Sequence, residues 1–347
     1  MTDSQHHRAT VAGVAADDRP LVTIDAIRAA ATVLDGVAIR TPLVPFGRPA
    51  ERRYLKAESL QPIGAFKIRG AYGMVAGLSP DERRRGVVTY SSGNHAQGVA
   101  RAARLLGAPA VVVMPRDAPR IKADRVAADG AEIVWVSPDS DERQRVAEAL
   151  AAERGLTVIP PFDDDRIIAG QGTVGLEIAE ALPDVAAVVV PIGGGGLAAG
   201  VCVAIRALAP RARLVGVEPE LAADARDSLA AGRVVAWPAE RVGRTIADGT
   251  RTTALGRRTF VHLAAHLDTI VTVTEAEIAA GVRLAAEESR LVVEPSGALS
   301  VAALRFRSTE AALDGLDGPI VGVVSGGNVD PDRYREYLAA PIPDTGR

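Results

Sequence analysis

A single cysteine, Cys202, occurs in the 347 residues. That scarcity excludes an intrachain disulfide, and the apolar neighbours of Cys202 mark it as a packing residue, so redox chemistry through cysteine is set aside. Charge of one sign is also lacking: the formal net charge is −3 and no sustained basic patch occurs, which removes nucleic acid as a partner. The first twenty residues contain no apolar core of the secretory kind. They mix His, Asp and small residues and read as a disordered tail. One long uncharged run, 185–205, is broken in the middle by Pro191 and four consecutive glycines, so strand, turn and helix explain it better than a membrane span. What is left, with 48% hydrophobic residues, fits a cytoplasmic enzyme long enough for two domains.

Three segments concentrate chemistry. In Gln61-Pro62-Ile63-Gly64-Ala65-Phe66-Lys67-Ile68-Arg69-Gly70-Ala71 one lysine sits between a glycine turn, an aromatic ring and a helical run. Desolvation by Phe66 and Ile68 favours the neutral, nucleophilic amine of Lys67, which can form a Schiff base. Next, Val87–Tyr90 leads into Ser91-Ser92-Gly93-Asn94-His95-Ala96-Gln97-Gly98 and an alanine-rich helix. Hydroxyls, an amide and free helix N-terminal N–H groups then meet at one point, which suits a carboxylate or a phosphate. Lastly, Val185–Val190 leads through Pro191-Ile192 to Gly193-Gly194-Gly195-Gly196 and a helix over Leu197–Leu208. Four glycines let main-chain N–H groups approach a phosphate with no side chain in the way. The turn lacks the Gly-Lys-Ser/Thr ending of a nucleotide P-loop.

Short β-branched runs alternate with alanine-rich helical segments: Val87–Tyr90, Ala110–Met114, Ile133–Val136, Val185–Val190, Leu214–Val217, Thr269–Val273 and Ile320–Val324. This pattern predicts an α/β fold of mostly parallel strands covered by helices on both faces, with active-site turns at the strand carboxyl ends. A competing reading takes Gly194-x-Gly196-x-x-Ala199, followed by Glu218, as a dinucleotide fingerprint and the chain as an NAD-dependent oxidoreductase. It leaves Lys67, Ser91–Gln97 and Ser325 unexplained. His262 and His266, four apart on a helical stretch, are read as packing or surface residues, since no glutamate follows His262 as in a zinc protease.

Together with Ser325-Gly326-Gly327-Asn328, these turns resemble the fold type II pyridoxal-phosphate enzymes, specifically the threonine/serine dehydratase and serine racemase family. The resemblance runs from Thr23 to Val329. It includes Arg40-Thr41-Pro42-Leu43, Val217-Glu218-Pro219, Thr245-Ile246-Ala247-Asp248-Gly249 and Glu294-Pro295-Ser296-Gly297-Ala298. One departure is Ala65, where relatives commonly carry a serine before the Phe-Lys pair; any role of that hydroxyl is in doubt here.

The resemblance implies a two-domain, tryptophan synthase β-like fold. A large pyridoxal-phosphate-binding domain would span 21–84 and 158–335, with a small inserted domain at 85–157 and tails at 1–20 and 336–347. The cofactor would lie between the domains, bound to Lys67 as a Schiff base with Phe66 beside its ring. Asn94 would meet the ring oxygen, Gly193, Gly194, Gly195 and Gly196 the phosphate, and Ser325 the ring nitrogen. Ser91, Ser92, Asn94 and His95 would hold the substrate carboxylate, and Lys67 would take the α-proton, with Ser92 as the acid/base on the opposite ring face in racemases. Glu218, the Ala222 carbonyl and Asp224 match a divalent-cation site for Mg²⁺ or Ca²⁺.

The implied activity is elimination from threonine or serine to a 2-oxo acid and ammonia, with serine racemisation or 3-hydroxyaspartate dehydration as the alternative. A 3-hydroxyaspartate enzyme needs a cation for the second carboxylate, and no arginine is distinguished by its position in the sequence. The family habit is a homodimer. A chain ending soon after Val329 is expected to lack the C-terminal regulatory domain of feedback-controlled relatives.

Overall fold

The computed structural model describes residues 17, 19–91, 93–118, 120–137 and 140–344. Ser92 and most of the expected N-terminal tail lie outside the described residues. Ten strands form two sheets: β1 Leu43–Phe46, β2 Arg53–Ala57, β3 Val87–Tyr90, β4 Ala110–Pro115, β5 Glu132–Val136, β6 Thr157–Val158, β7 Ala187–Pro191, β8 Arg213–Pro219, β9 Thr269–Val273 and β10 Ile320–Val324. The first sheet has the order β1-β2-β10-β7-β8-β9 and is parallel except for β1, which runs antiparallel to β2. The second, β5-β4-β3-β6, is parallel throughout.

Central strands β4, β7 and β10 are buried at every position. Helices cover both faces, so these strands carry apolar runs without alternation. One face of the large sheet packs on helices Asp165–Ala181 and Gly196–Leu208, the other on Glu275–Ser289 and Pro295–Phe306. Strands β4, β7 and β8 each end in proline, at Pro115, Pro191 and Pro219. Proline has no N–H for a further ladder bond, so the chain leaves the sheet there. Val185 was expected to open β7 but instead donates its N–H to Leu182 O at 3.0 Å in the turn after helix Asp165–Ala181, and the strand starts at Ala187.

Among the described residues no helix is long and apolar enough to cross a membrane. Cys202 is fully buried, and burial pushes its thiol up to about 12. His262 is also buried: Nδ1 lies 2.7 Å from the Arg258 carbonyl, and Nε2 accepts from the Val22 N–H at 2.9 Å. Both ring nitrogens serve packing, as the sequence suggested.

Candidate functional site

Strands β3, β7 and β10 deliver their carboxyl ends to one cavity of about 280 Å³. After β3 come Ser91, Gly93, Asn94 and His95; after β7, Gly193, Gly194, Gly195 and Gly196; after β10, Ser325. Lys67 and Phe66 line the same cavity. Their segment is stitched to the end of β10, with the Phe66 N–H donating to Ser325 O at 3.0 Å and Ala65 bridging Gly326. Ala65 is fully buried, and a Cβ on Gly326 would lie 3.1 Å from the Ala65 methyl, so the two backbones pack tightly here.

Lys67 opens helix Lys67–Ala76. Its Nζ donates to Pro161 O at 2.6 Å and lies 5.1 Å from the Phe66 ring centroid. Burial, with no carboxylate partner among the described residues, brings its ammonium down to about 8. An amine near half-neutral at physiological pH is the form that attacks a carbonyl carbon.

Helix Gly196–Leu208 starts at the glycine turn, with Gly195 at φ +93°, a conformation open to glycine at little cost. A Cβ at Gly194 would fall 2.2 Å from the Phe162 ring, so no larger residue fits there. Among the described residues none accepts a hydrogen bond from the N–H groups of Gly194, Gly195 or Gly196. Unpaired donors at a helix N-terminus form an anion cradle.

Asn94 is held by a chain of directed bonds. Arg125 can only donate, and it donates to Asn328 Oδ1. Asn328 Nδ2 therefore donates to Ile63 O and to Asn94 Oδ1, both at 2.8 Å, and Asn94 Nδ2 donates to Glu294 Oε1 at 2.5 Å. One amide hydrogen of Asn94 is left for the cavity. Among the described residues Ser325 Oγ has only a long contact, 3.4 Å to Ser296 O, and is available as a neutral hydroxyl.

His95 is buried, with Nε2 3.1 Å from the Ile159 carbonyl. Burial, then the charge of Lys67, holds its acidity near 3, so the ring is neutral. Nε2–H donates to the carbonyl in that arrangement, and Nδ1 keeps a lone pair with no described partner. A lone pair suits a donor and repels a carboxylate, so the expected contact of His95 with a substrate carboxylate would not be made through Nδ1.

Four charged residues that were given no role from the sequence also reach the cavity: Lys122, Arg143, Asp248 and Glu294. Lys122 pairs with Asp248; burial works against its charge, but Asp248 and Glu294 hold it above its ordinary value. Burial raises the Glu294 carboxyl, against the pull of Lys122, and Glu294 Oε2 has no described partner. Asp248 and Glu294 did belong to motifs noted in the sequence, which was the available signal. Nothing marked Lys122 or Arg143.

Glu218, next to last in β8, is buried and does not line this cavity; Asp224 is buried nearby in the chain. The two Glu218 oxygens accept from the Ala225 and Arg226 N–H groups at 2.9 and 2.8 Å, and Glu218 does not line the cavity at the glycine turn, where a dinucleotide fingerprint needs it for the ribose. Burial and the neighbouring Asp224 raise Glu218 well above the carboxylate range, and burial brings Asp224 to about 7. Among the described residues no group of three or more His, Cys, Asp or Glu side chains could hold a metal ion.

The model of one protein family, described as "Pyridoxal-phosphate dependent enzyme", matches residues 34–326. An L-threo-3-hydroxyaspartate ammonia-lyase of Saccharomyces cerevisiae is 42% identical over 82% of this chain and 86% of its own. An L-threonine ammonia-lyase of Thermotoga maritima is 41% identical over 94% of this chain and 80% of its own. The structure of maize serine racemase superposes with a TM-score of 0.85 at 36% identity, covering 92% of this chain and 97% of that one.

Proposed function

Because this chain belongs to the family of pyridoxal-phosphate-dependent enzymes, we propose that it is an ammonia-lyase converting a 3-hydroxy amino acid, threonine or serine, to a 2-oxo acid and ammonia. The observation that carries the reading is Lys67, a buried amine with no carboxylate partner among the described residues, in one cavity with the four-glycine turn, Asn94 and Ser325. The residues present fit the cofactor: unpaired N–H groups for a phosphate, an amide N–H for the ring oxygen and a neutral hydroxyl for the ring nitrogen. When bound, pyridoxal phosphate supplies the electron sink that lets an amino acid lose its α-proton.

The chain's own groups do the rest. Lys67 Nζ anchors the cofactor and, released by the substrate amine, takes the α-proton as general base. The N–H groups of Gly193–Gly196 bind the phosphate, Phe66 packs beside the ring, and Asn94 orients the ring through its oxygen. Ser325 would face the ring nitrogen with a neutral hydroxyl, which does not hold that nitrogen protonated as a carboxylate would, and the weaker sink that results favours loss of the β-hydroxyl. The substrate carboxylate falls to Ser91 and the N-terminus of helix Asn94–Leu106, together with Ser92.

Purified protein with pyridoxal phosphate and Mg²⁺ is to be given L-threonine, L-serine, D-serine and L-threo-3-hydroxyaspartate separately, reading 2-oxo acid and the enantiomers of the remaining substrate. Oxo acid from threonine or serine is expected. No turnover and no visible absorption band with the cofactor would sink the reading. A second reading, dehydration of 3-hydroxyaspartate, is favoured by Arg143 on the cavity wall, a cation suited to a second carboxylate. Oxo acid from hydroxyaspartate alone would select it, and enantiomer exchange faster than elimination would select a racemase.

Glu218, Asp224 and the Ala222 carbonyl form an oxygen donor set that suits Mg²⁺ or Ca²⁺, and two buried carboxylates whose charge is disfavoured support a cation between them. Mg²⁺ should raise the thermal midpoint of the wild type and leave Asp224→Ala unmoved. Division into a large domain (21–84 and 158–335) and a small one (85–157) is supported by the second sheet lying within 87–158. Exposed Ile39, Leu60 and Val292 support a homodimer, to be tested by light scattering. We place the enzyme in the cytoplasm on the single, buried thiol.

A further inference from the structure

The glycine turn does not hold its own shape. Glycines on both sides of a peptide let that unit rotate at little cost, so something outside the turn must fix which way its N–H groups point. Helix Arg257–His266 packs against it. Thr259, fully buried on the first turn of that helix, donates its hydroxyl to Gly194 O at 2.7 Å; its other acceptor, Gly256 O, is longer at 3.1 Å. The Gly256 N–H also approaches Gly194 O, at 3.4 Å.

We infer that Thr259 is a positioning residue for the anion cradle. The Gly194 carbonyl and the Gly195 N–H belong to one trans peptide, and in a trans peptide the two point in opposite directions. Pinning the carbonyl back toward Thr259 aims the Gly195 N–H into the cavity that Gly195 lines. Thr259 is itself held by Asp163, which caps its helix: the carboxylate accepts from the N–H groups of Arg257 at 3.1 Å, Arg258 at 2.8 Å and Thr259 at 3.1 Å. Asp163 follows Phe162, whose ring fills the space beside Gly194, so one short segment supports the turn from two sides. Space is tight as well: a Cβ at Gly195 would meet Thr259 Oγ1 at 2.9 Å.

This rests on the reading that the turn binds a phosphate, and the test separates the two ideas. Pyridoxal and pyridoxal phosphate share the aldehyde that reacts with Lys67 and differ only in the phosphate. Both are titrated into the apo-protein, with binding read from visible absorption, for wild type, Thr259→Val, Thr259→Ser and Asp163→Asn. Thr259→Val, of the same shape without the donor, should weaken pyridoxal phosphate about fivefold to tenfold and leave pyridoxal within about twofold of wild type. Thr259→Ser should restore wild-type binding, and Asp163→Asn should shift in the same direction as Thr259→Val. Equal weakening of both aldehydes, or none, in a Thr259→Val protein that unfolds at the wild-type temperature overturns the role of Thr259. If Thr259→Val does not fold, a Thr259→Ser or Asp163→Asn result against expectation does the same. A wild type that does not prefer the phosphorylated aldehyde sinks the phosphate reading before any variant is made.

Discussion

Lys67 and Arg69 stand two residues apart on the first turn of one helix, and their charges are treated in opposite ways. The Arg69 guanidinium is buried and saturated. It donates to both oxygens of Glu58 at 2.8 Å, to those of Glu177 at 2.6 and 3.0 Å, to Thr173 Oγ1 at 3.0 Å and to Ile39 O at 3.1 Å. Lys56 completes the cluster, donating to Glu177 at 2.5 Å and Thr41 O at 2.6 Å, while Thr41 Oγ1 bonds Glu58 at 2.5 Å. Burial opposes the charge of Arg69, but the two carboxylates outweigh it and hold the guanidinium above its ordinary value. Lys67 faces the cavity with a carbonyl and a ring for company, and burial acts on it unopposed. One cation keeps its charge because its counter-charges are supplied; the other is pushed toward the neutral amine that the proposed chemistry needs, because burial acts on it alone. The saturated cluster ties the helix to β2 and to helix Asp165–Ala181, which keeps the unsupported amine in place.

Two substitutions would break this contrast most sharply. Lys67→Ala should lower oxo-acid production by about 10⁴-fold and abolish the visible band of the bound cofactor, because both anchor and base are lost. Residual turnover near the wild-type rate would transfer the chemistry to another group. Arg69→Met should cost about 3–5 kcal/mol in urea unfolding of the apo-protein, since Glu58 and Glu177 would stay buried with Lys56 as their remaining cation. An Arg69→Met protein as stable as wild type would show that the cluster is not what fixes the helix.

The residues that line the cavity were largely legible in the sequence, and those that support them were not. Lys67, the four glycines, Asn94 and Ser325 lie in short motifs because a phosphate is bound by consecutive backbone groups and a ring by residues at strand ends. Arg69 sat in plain view beside Lys67 without a signal of its own, since its partners Glu58 and Glu177 come from distant segments. Strands β1 and β2 were missed for a related reason: Pro45 interrupts one, and Arg53 and Lys56 give the other a polar look that tertiary partners explain, Arg53 reaching Leu304 O at 2.6 Å and Lys56 reaching Glu177. Lys122 and Arg143 stand among other charged residues in polar stretches, and only folding places them on the cavity wall.

A smaller pair of effects tests the Lys67 side alone. If a buried ammonium without a counter-charge is a burden on the fold, Lys67→Met should stabilise the apo-protein at pH 7, by about 1–3 kcal/mol. Its pH dependence then follows from the two acidities. Lys67 titrates at about 8 when folded and at its ordinary 10.5 when unfolded. Below pH 8 both states hold the proton, so the cost is constant. Between 8 and 10.5 the unfolded chain keeps a proton that the folded chain has released, so wild-type stability rises with pH across that window. Measured as the difference between wild type and Lys67→Met, which cancels the titration of every other group, the deficit of the wild type should shrink by about 1 kcal/mol from pH 7 to pH 9. A difference that stays flat over this range would mean that Lys67 remains charged in the folded protein, and its placement among apolar and carbonyl neighbours would no longer account for its reactivity.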